Sequence, residues 1–136
     1  MKKLFSTAWK ASRQTRKQRK YRANAPLHIR NKFMSGNLSK DLRKKFGTRS
    51  MSVRKGDTVK IMRGEFKKRT GKINAVDLKK ERITIEGIQR KKKDGTKINV
   101  YFHPSNVQII EIKEDRYRVS QQIKLPEQKQ NAPDKK

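Results

Sequence analysis

Residues 55–73 read KGDTVKIMRGEFKKRTGKI, with glycine at positions 56, 64 and 71. Lys67, Lys68 and Arg69 stand just before Gly71, and Lys72 just after it. Glycine tolerates positive φ and lets another backbone approach closely. A loop bounded by Gly64 and Gly71 can therefore bend tightly and present Lys67, Lys68, Arg69 and Lys72 on one rim, while Gly56 opens the unit at its first turn. Cations on a rim bind anions, and a rim free of bulky side chains admits a phosphate–sugar backbone. Other chemistry is poorly served. Gly71-Lys72 is followed by Ile73, so the glycines do not form a phosphate-binding P-loop, which needs Ser or Thr there. No nucleophile, base and orienting group occur at a known catalytic spacing, so the chain reads as no enzyme. Two histidines, His28 and His103, and no cysteine do not make a metal site, and no cofactor is expected.

Two further groups of cations share this character. Arg13, Arg16, Lys17, Arg19, Lys20 and Arg22 form a basic arm, "SRQTRKQRKYR", with no aliphatic residue. Arg90, Lys91, Lys92 and Lys93 precede the turn dipeptide Asp94-Gly95, where they form either a solvated hairpin tip or a phosphate clamp. Arg30, Arg49, Arg54 and Lys55 complete the candidate contacts. Trp9 either stacks on a base or fills a local cluster with Phe5, and Tyr21 is open in the same way. His28 lies on a basic helix and bonds phosphate or backbone. His103, before Pro104, is either a turn residue or a nucleic-acid contact.

The whole chain agrees with anion binding. It has 136 residues, 39 Lys and Arg against 12 Asp and Glu, and a formal charge of +27. Such an imbalance repels itself unless a polyanion neutralises it. Residues 1–55 hold 18 of the cations and a single acid, Asp41, whereas residues 56–120 hold nine of the acids. No run is apolar enough to span a bilayer, so no membrane insertion is expected. "MKKLFSTAWK" lacks the apolar core of a secretory signal.

Several elements position these groups. In residues 24–37 Pro26 suits a helix start and Ser35-Gly36 a stop. A second short helix has Ser39 as N-cap, Asp41 in its first turn, Arg43, Lys44 and Lys45 in its last, and Gly47 at its end. Leu38, Leu42 and Phe46 fall on one face. From residue 56 the apolar period becomes two: Val59 and Ile61; Ile83 and Ile85; Ile98, Val100 and Phe102. A fifth run, "VQIIEI", is apolar on most positions. Ile73 and Val76 are three apart, which predicts a bulge. Five short strands with turns between them read as a small antiparallel β barrel. Val59, Ile61, Ile73, Ile83, Ile85 and Val100 are expected in its core. The expected organisation is a basic, partly helical extension over 1–52, a barrel over 53–120, and a flexible polar tail over 121–136.

"KGDTVKIMRGEFKKRTGKINAVDLKKERITIEGI" resembles the KOW motif. "NAPLHIRNKFMSGNLSKDLRKKFGTRSMSVRKGD" before it and "KKDGTKINVYFHPSNVQII" after it resemble one KOW family in particular. That family is the universal large-subunit ribosomal protein numbered twenty-four in bacteria, in its archaeal and eukaryotic form. The resemblance covers about residues 10–112. Lys68 stands where many KOW units have glycine, which adds a cation. The resemblance implies an SH3-like barrel with an extension threaded into large-subunit ribosomal RNA, early entry into subunit assembly, and a position near the nascent-chain exit on cytoplasmic ribosomes. Neighbouring large-subunit proteins and factors docking at the exit would be its protein partners, and no homo-oligomer is implied. The alternative is a KOW-type transcription elongation module that binds RNA polymerase. Such a module would expose an apolar or acidic docking surface, which residues 1–55 lack.

Overall fold

A computed structural model describes residues 3–113, so the expected tail over 121–136 lies outside the described residues. A 3-10 turn over Thr7–Ala11 leads into helix α1 (Thr15–Asn24) and helix α2 (Leu27–Phe33). Strand β1 (Ser35–Leu38), helix α3 (Lys40–Phe46) and strand β2 (Ser50–Ser52) follow. Then come β3 (Thr58–Ile61), β4 (Thr70–Asp77), β5 (Arg82–Lys91), β6 (Lys97–Phe102), a 3-10 turn over Pro104–Asn106, and β7 (Val107–Glu111). The seven strands form one sheet in the order β2-β1-β7-β3-β4-β5-β6. Every pairing is antiparallel except β1 with β7. The architecture is that of a small β barrel with helical additions.

Local chemistry accounts for the elements. Ser39 caps α3 by accepting from the Leu42 amide at 3.3 Å, and Gly47 closes it at φ 64°. Leu42 and Phe46 turn one helical face onto the core. Pro26 precedes the first residue of α2, where its missing N–H costs nothing. The bulge expected between Ile73 and Val76 is present: Ile73 pairs with Ile85 but Ala75 with Thr84, leaving Asn74 as the extra residue. A second irregularity lies between Thr84 and Gln89, with Gly87 at φ 74°. Bulges sharpen strand twist, so both help the sheet to curl.

Val59, Ile61, Ile73, Ile83 and Ile85 are all within 2% of full burial, and each contributes about 1.5–3 kcal/mol on leaving water. Val100 is half-buried and Ile98 exposed, because the β5–β6 hairpin runs outward past the core. Gly71 is required for close packing rather than for its φ. A Cβ there would stand 2.7 Å from Ile85 Cγ2 and 2.9 Å from the Glu86 carbonyl.

Residues 35–38 and 50–52, on the extension side of the expected division at residue 53, are strands of this sheet. Met34, Leu38 and Met51 are at most 1% exposed and belong to the same apolar cluster as Val59 and Ile109. Both strands are too short to display an alternating pattern. Buried Asp57 ties this region together. It accepts from the Arg54 amide at 2.9 Å and from the Lys113 amide at 3.2 Å, joining the turn before β3 to the end of β7.

If the folded unit includes residues 34–52, Leu38→Ala removes a fully buried side chain. It should cost about 2–5 kcal/mol, as core leucines do. The shift of the urea unfolding midpoint, at unchanged m-value, measures this.

Candidate nucleic-acid interface

The loop between β3 and β4 is tied to the strand beneath its cations by backbone hydrogen bonds. The backbone of Ile61 donates to the Arg69 carbonyl at 2.9 Å and accepts from the Lys68 amide at 2.8 Å. Phe66, 8% exposed, roots the loop in the core, with its ring 6.1 Å from that of Phe102 in edge-to-face contact. The Arg69 guanidinium lies 5.2 Å from the Phe66 ring centre. Gly64 takes φ 87° and Lys68 φ 73°. Lys68 thus occupies, with a side chain, a conformation suited to glycine, at roughly 1–2 kcal/mol of local cost. Lys67, Lys68, Arg69 and Lys72 are all exposed.

The β5–β6 hairpin is linked to this loop by an ion pair between Arg90 and Glu65. Arg90 is therefore engaged within the protein, while Lys91, Lys92 and Lys93 stand exposed beyond it. At the tip, Asp94 accepts from the Thr96 hydroxyl at 2.8 Å and the Thr96 amide at 3.2 Å, which holds its carboxyl below the usual range.

The arm folds back on the barrel. The Tyr21 ring lies 5.2 Å from Phe5, stacked, and 5.9 Å from Phe33, edge-on. The Lys20 ammonium sits 5.2 Å over Trp9. Phe5 and Tyr21 of the arm thus cluster with Phe33 of α2, and Trp9 carries a cation on one face. Arg13, Arg16, Lys17 and Arg19 are exposed and have no ion-pair partner among the described residues.

Two arginines fasten this arm instead of extending its free charge. Arg30 donates to the carbonyls of Ala25 at 2.9 Å, Lys79 at 2.7 Å, and Ala23. Arg22 donates through Nε to both carboxylate oxygens of Glu81, at 3.1 and 2.9 Å, and through Nη2 to one of them. His103 Nδ1 accepts from the Ser105 amide at 3.3 Å, and its Nε2 lies 3.8 Å from Glu81. The Glu81 side chain is only 13% exposed, and its φ is 52°. The hydrogen bond from Arg22, aided by the charges of Arg22, His103 and Arg30, outweighs burial and lowers the Glu81 pKa. The same bond raises that of Arg22. His28, Arg49, Arg54 and Lys55 are exposed elsewhere, on α2, before β2 and in the turn before β3.

Glu81 and Asp57 are the residues that sequence reasoning passed over. Glu81 lies in "DLKKER", which reads only as a polar connection, since its partners are 59 and 22 positions away. Asp57 follows Gly56 inside the glycine pattern, where nothing in the spacing marks it as buried.

Among the described residues no group of His, Cys, Asp or Glu could hold a metal ion. No helix of the described residues is long and apolar enough to cross a membrane. The family model for the ribosomal proteins called L26 in eukaryotes and L24 in archaea matches residues 12–124. The chain is also similar to the large ribosomal subunit protein uL24 of Methanosarcina barkeri. The two are 50% identical over 107 residues, which are 77% of this chain and 92% of that relative.

The lowered Glu81 pKa fixes the sign of a pH effect. Its contribution to arm docking is present above the ordinary carboxylate pKa and lost as pH falls through the lowered value. NMR shifts of the α1 amides should hold steady from neutral pH down through the ordinary carboxylate range and move only below it. In Glu81→Gln they should already be displaced at neutral pH.

Proposed function

The chain belongs to the family of ribosomal proteins called L26 in eukaryotes and L24 in archaea, and from that membership we propose how it works as a structural protein of the large ribosomal subunit. It binds large-subunit ribosomal RNA through two exposed sets of cations. One is the rim of Lys67, Lys68, Arg69 and Lys72 with the hairpin lysines 91–93. The other is Arg13, Arg16, Lys17 and Arg19 on the docked arm. It acts in early subunit assembly on cytoplasmic ribosomes, beside other large-subunit proteins and near the nascent-chain exit. The observation that carries this reading is the hydrogen-bonded β3–β4 loop, whose three successive cations are exposed while its own acid, Glu65, is taken up by Arg90.

The physical mechanism is charge neutralisation. Each Lys or Arg set against a phosphate releases condensed counterions, which supplies a large part of the affinity. The A-form major groove is too narrow for side chains, so selectivity comes from RNA shape and splayed single strands. A rim held by Phe66 and an arm held by Glu81 suit shape recognition, because their cations are spaced before RNA arrives.

Filter binding of the full chain to deproteinised large-subunit RNA over a salt series tests this. Log affinity should fall linearly with log salt. Replacing Lys67, Lys68 and Arg69 together by Ala should flatten the slope by about two to three units, somewhat less than one for each phosphate no longer neutralised. An unchanged slope would remove the loop from the interface.

A further inference from the structure

We propose that the groove beside the β4 bulge seats a single unpaired ribonucleotide. This rests on the RNA-binding reading above and gives it a base-recognition site. The groove is about 460 Å³, within the roughly 300–1,000 Å³ of clefts that hold small ligands. It lies where α2, the turn before β3 and the middle of β4 meet, and its lining contains no acid.

Three features of the lining point to a nucleotide. Val76 and Leu78, both half-buried, supply an aliphatic surface against which a base can lie. Lys55 stands exposed in the lining, where a phosphate would follow the base. Asn31 and Asn74 also line the groove, and neither side-chain amide has a hydrogen-bond partner among the described residues. An amide offers both a donor pair and an acceptor, which is what the polar edge of a base requires.

The bulge gives Asn74 its place. It is the extra residue between the Ile73–Ile85 and Ala75–Thr84 pairs, outside the regular alternation of β4. Bulges re-aim side chains in this way, and they recur beside functional sites. Amides on the lining suit an unstacked base better than a duplex. A paired base has its Watson–Crick edge covered, whereas splayed bases present theirs to side chains.

The test is NMR titration of the full chain with short single-stranded oligoadenylate and oligouridylate, and separately with a blunt RNA duplex. Single strands should shift the amides of residues 53–55 and 74–76 in a saturable way, and the duplex should leave them in place. Asn31→Ala with Asn74→Ala should weaken single-strand binding about tenfold, the equivalent of two hydrogen bonds. The salt slope should not change, because amides release no counterions. Both residues are exposed, so the circular dichroism spectrum should match that of the parent and separate this loss from misfolding. Shifts confined to residues 13–22 and 67–72 would overturn the proposal while leaving RNA binding intact. So would equal groove shifts with the duplex, an unchanged affinity of the double variant, or a photo-crosslink from position 74 to protein rather than RNA in reconstituted subunits. No binding of either RNA would overturn the RNA-binding reading as well.

Discussion

The Glu81 carboxylate takes the Arg22 guanidinium on both oxygens and lies 3.8 Å from His103, in a chain whose formal charge is +27. Every element of this protein must be brought together against its own repulsion, and the few acids are placed where they oppose it. Asp57 joins the turn before β3 to the end of β7. Glu65 draws the long hairpin to the β3–β4 loop. Asp77 accepts from the Lys79 and Lys80 amides and shapes the turn that carries Glu81. Asp94 closes the hairpin tip. These five acids each hold a junction, and the cations not needed for junctions remain at the surface.

That division separates two uses of positive charge. Arg22, Arg30 and Arg90 bind inside the protein and set geometry. Arg13, Arg16, Lys17, Arg19 and the lysines and arginine of residues 67–69 face outward. An arm fixed in advance avoids part of the roughly 1–2 kcal/mol per residue that ordering a backbone costs. Exposed ion pairs are worth only about 0–1 kcal/mol each. The arm therefore depends on several ties at once: the Phe5, Tyr21 and Phe33 rings, the Arg30 bonds to carbonyls, and the better-covered Glu81.

Much of this was legible in the sequence. Alternation marked β3, β5 and β6, a mostly apolar run marked β7, the three-residue step from Ile73 to Val76 marked the bulge, and Ser39 and Gly47 marked both ends of α3. These signals are local, carried by neighbouring residues. What could not be read is long-range. β1 and β2 are four and three residues long, and they exist because β1 pairs with β7, β2 pairs with β1, and both bury residues in the core. The arm reads as cationic on all sides, which hides Tyr21, whose partners are 16 and 12 positions away. Arg22 looked like the other cations of the arm, and Arg30 like one more exposed contact. Only the fold shows that their donors are directed at Glu81 and at backbone carbonyls. The sequence shows where charge accumulates, but which charges are left over depends on pairings that cross the chain.

The most direct measurement is the affinity of Glu81→Ala for large-subunit ribosomal RNA at one fixed salt concentration, beside the parent chain. Removing an acid raises the net charge by one, and charge alone would tighten binding to a polyanion. If Glu81 positions the arm, binding should instead weaken, on the order of several-fold, the scale of a single ion pair. Tighter binding by Glu81→Ala would contradict the account.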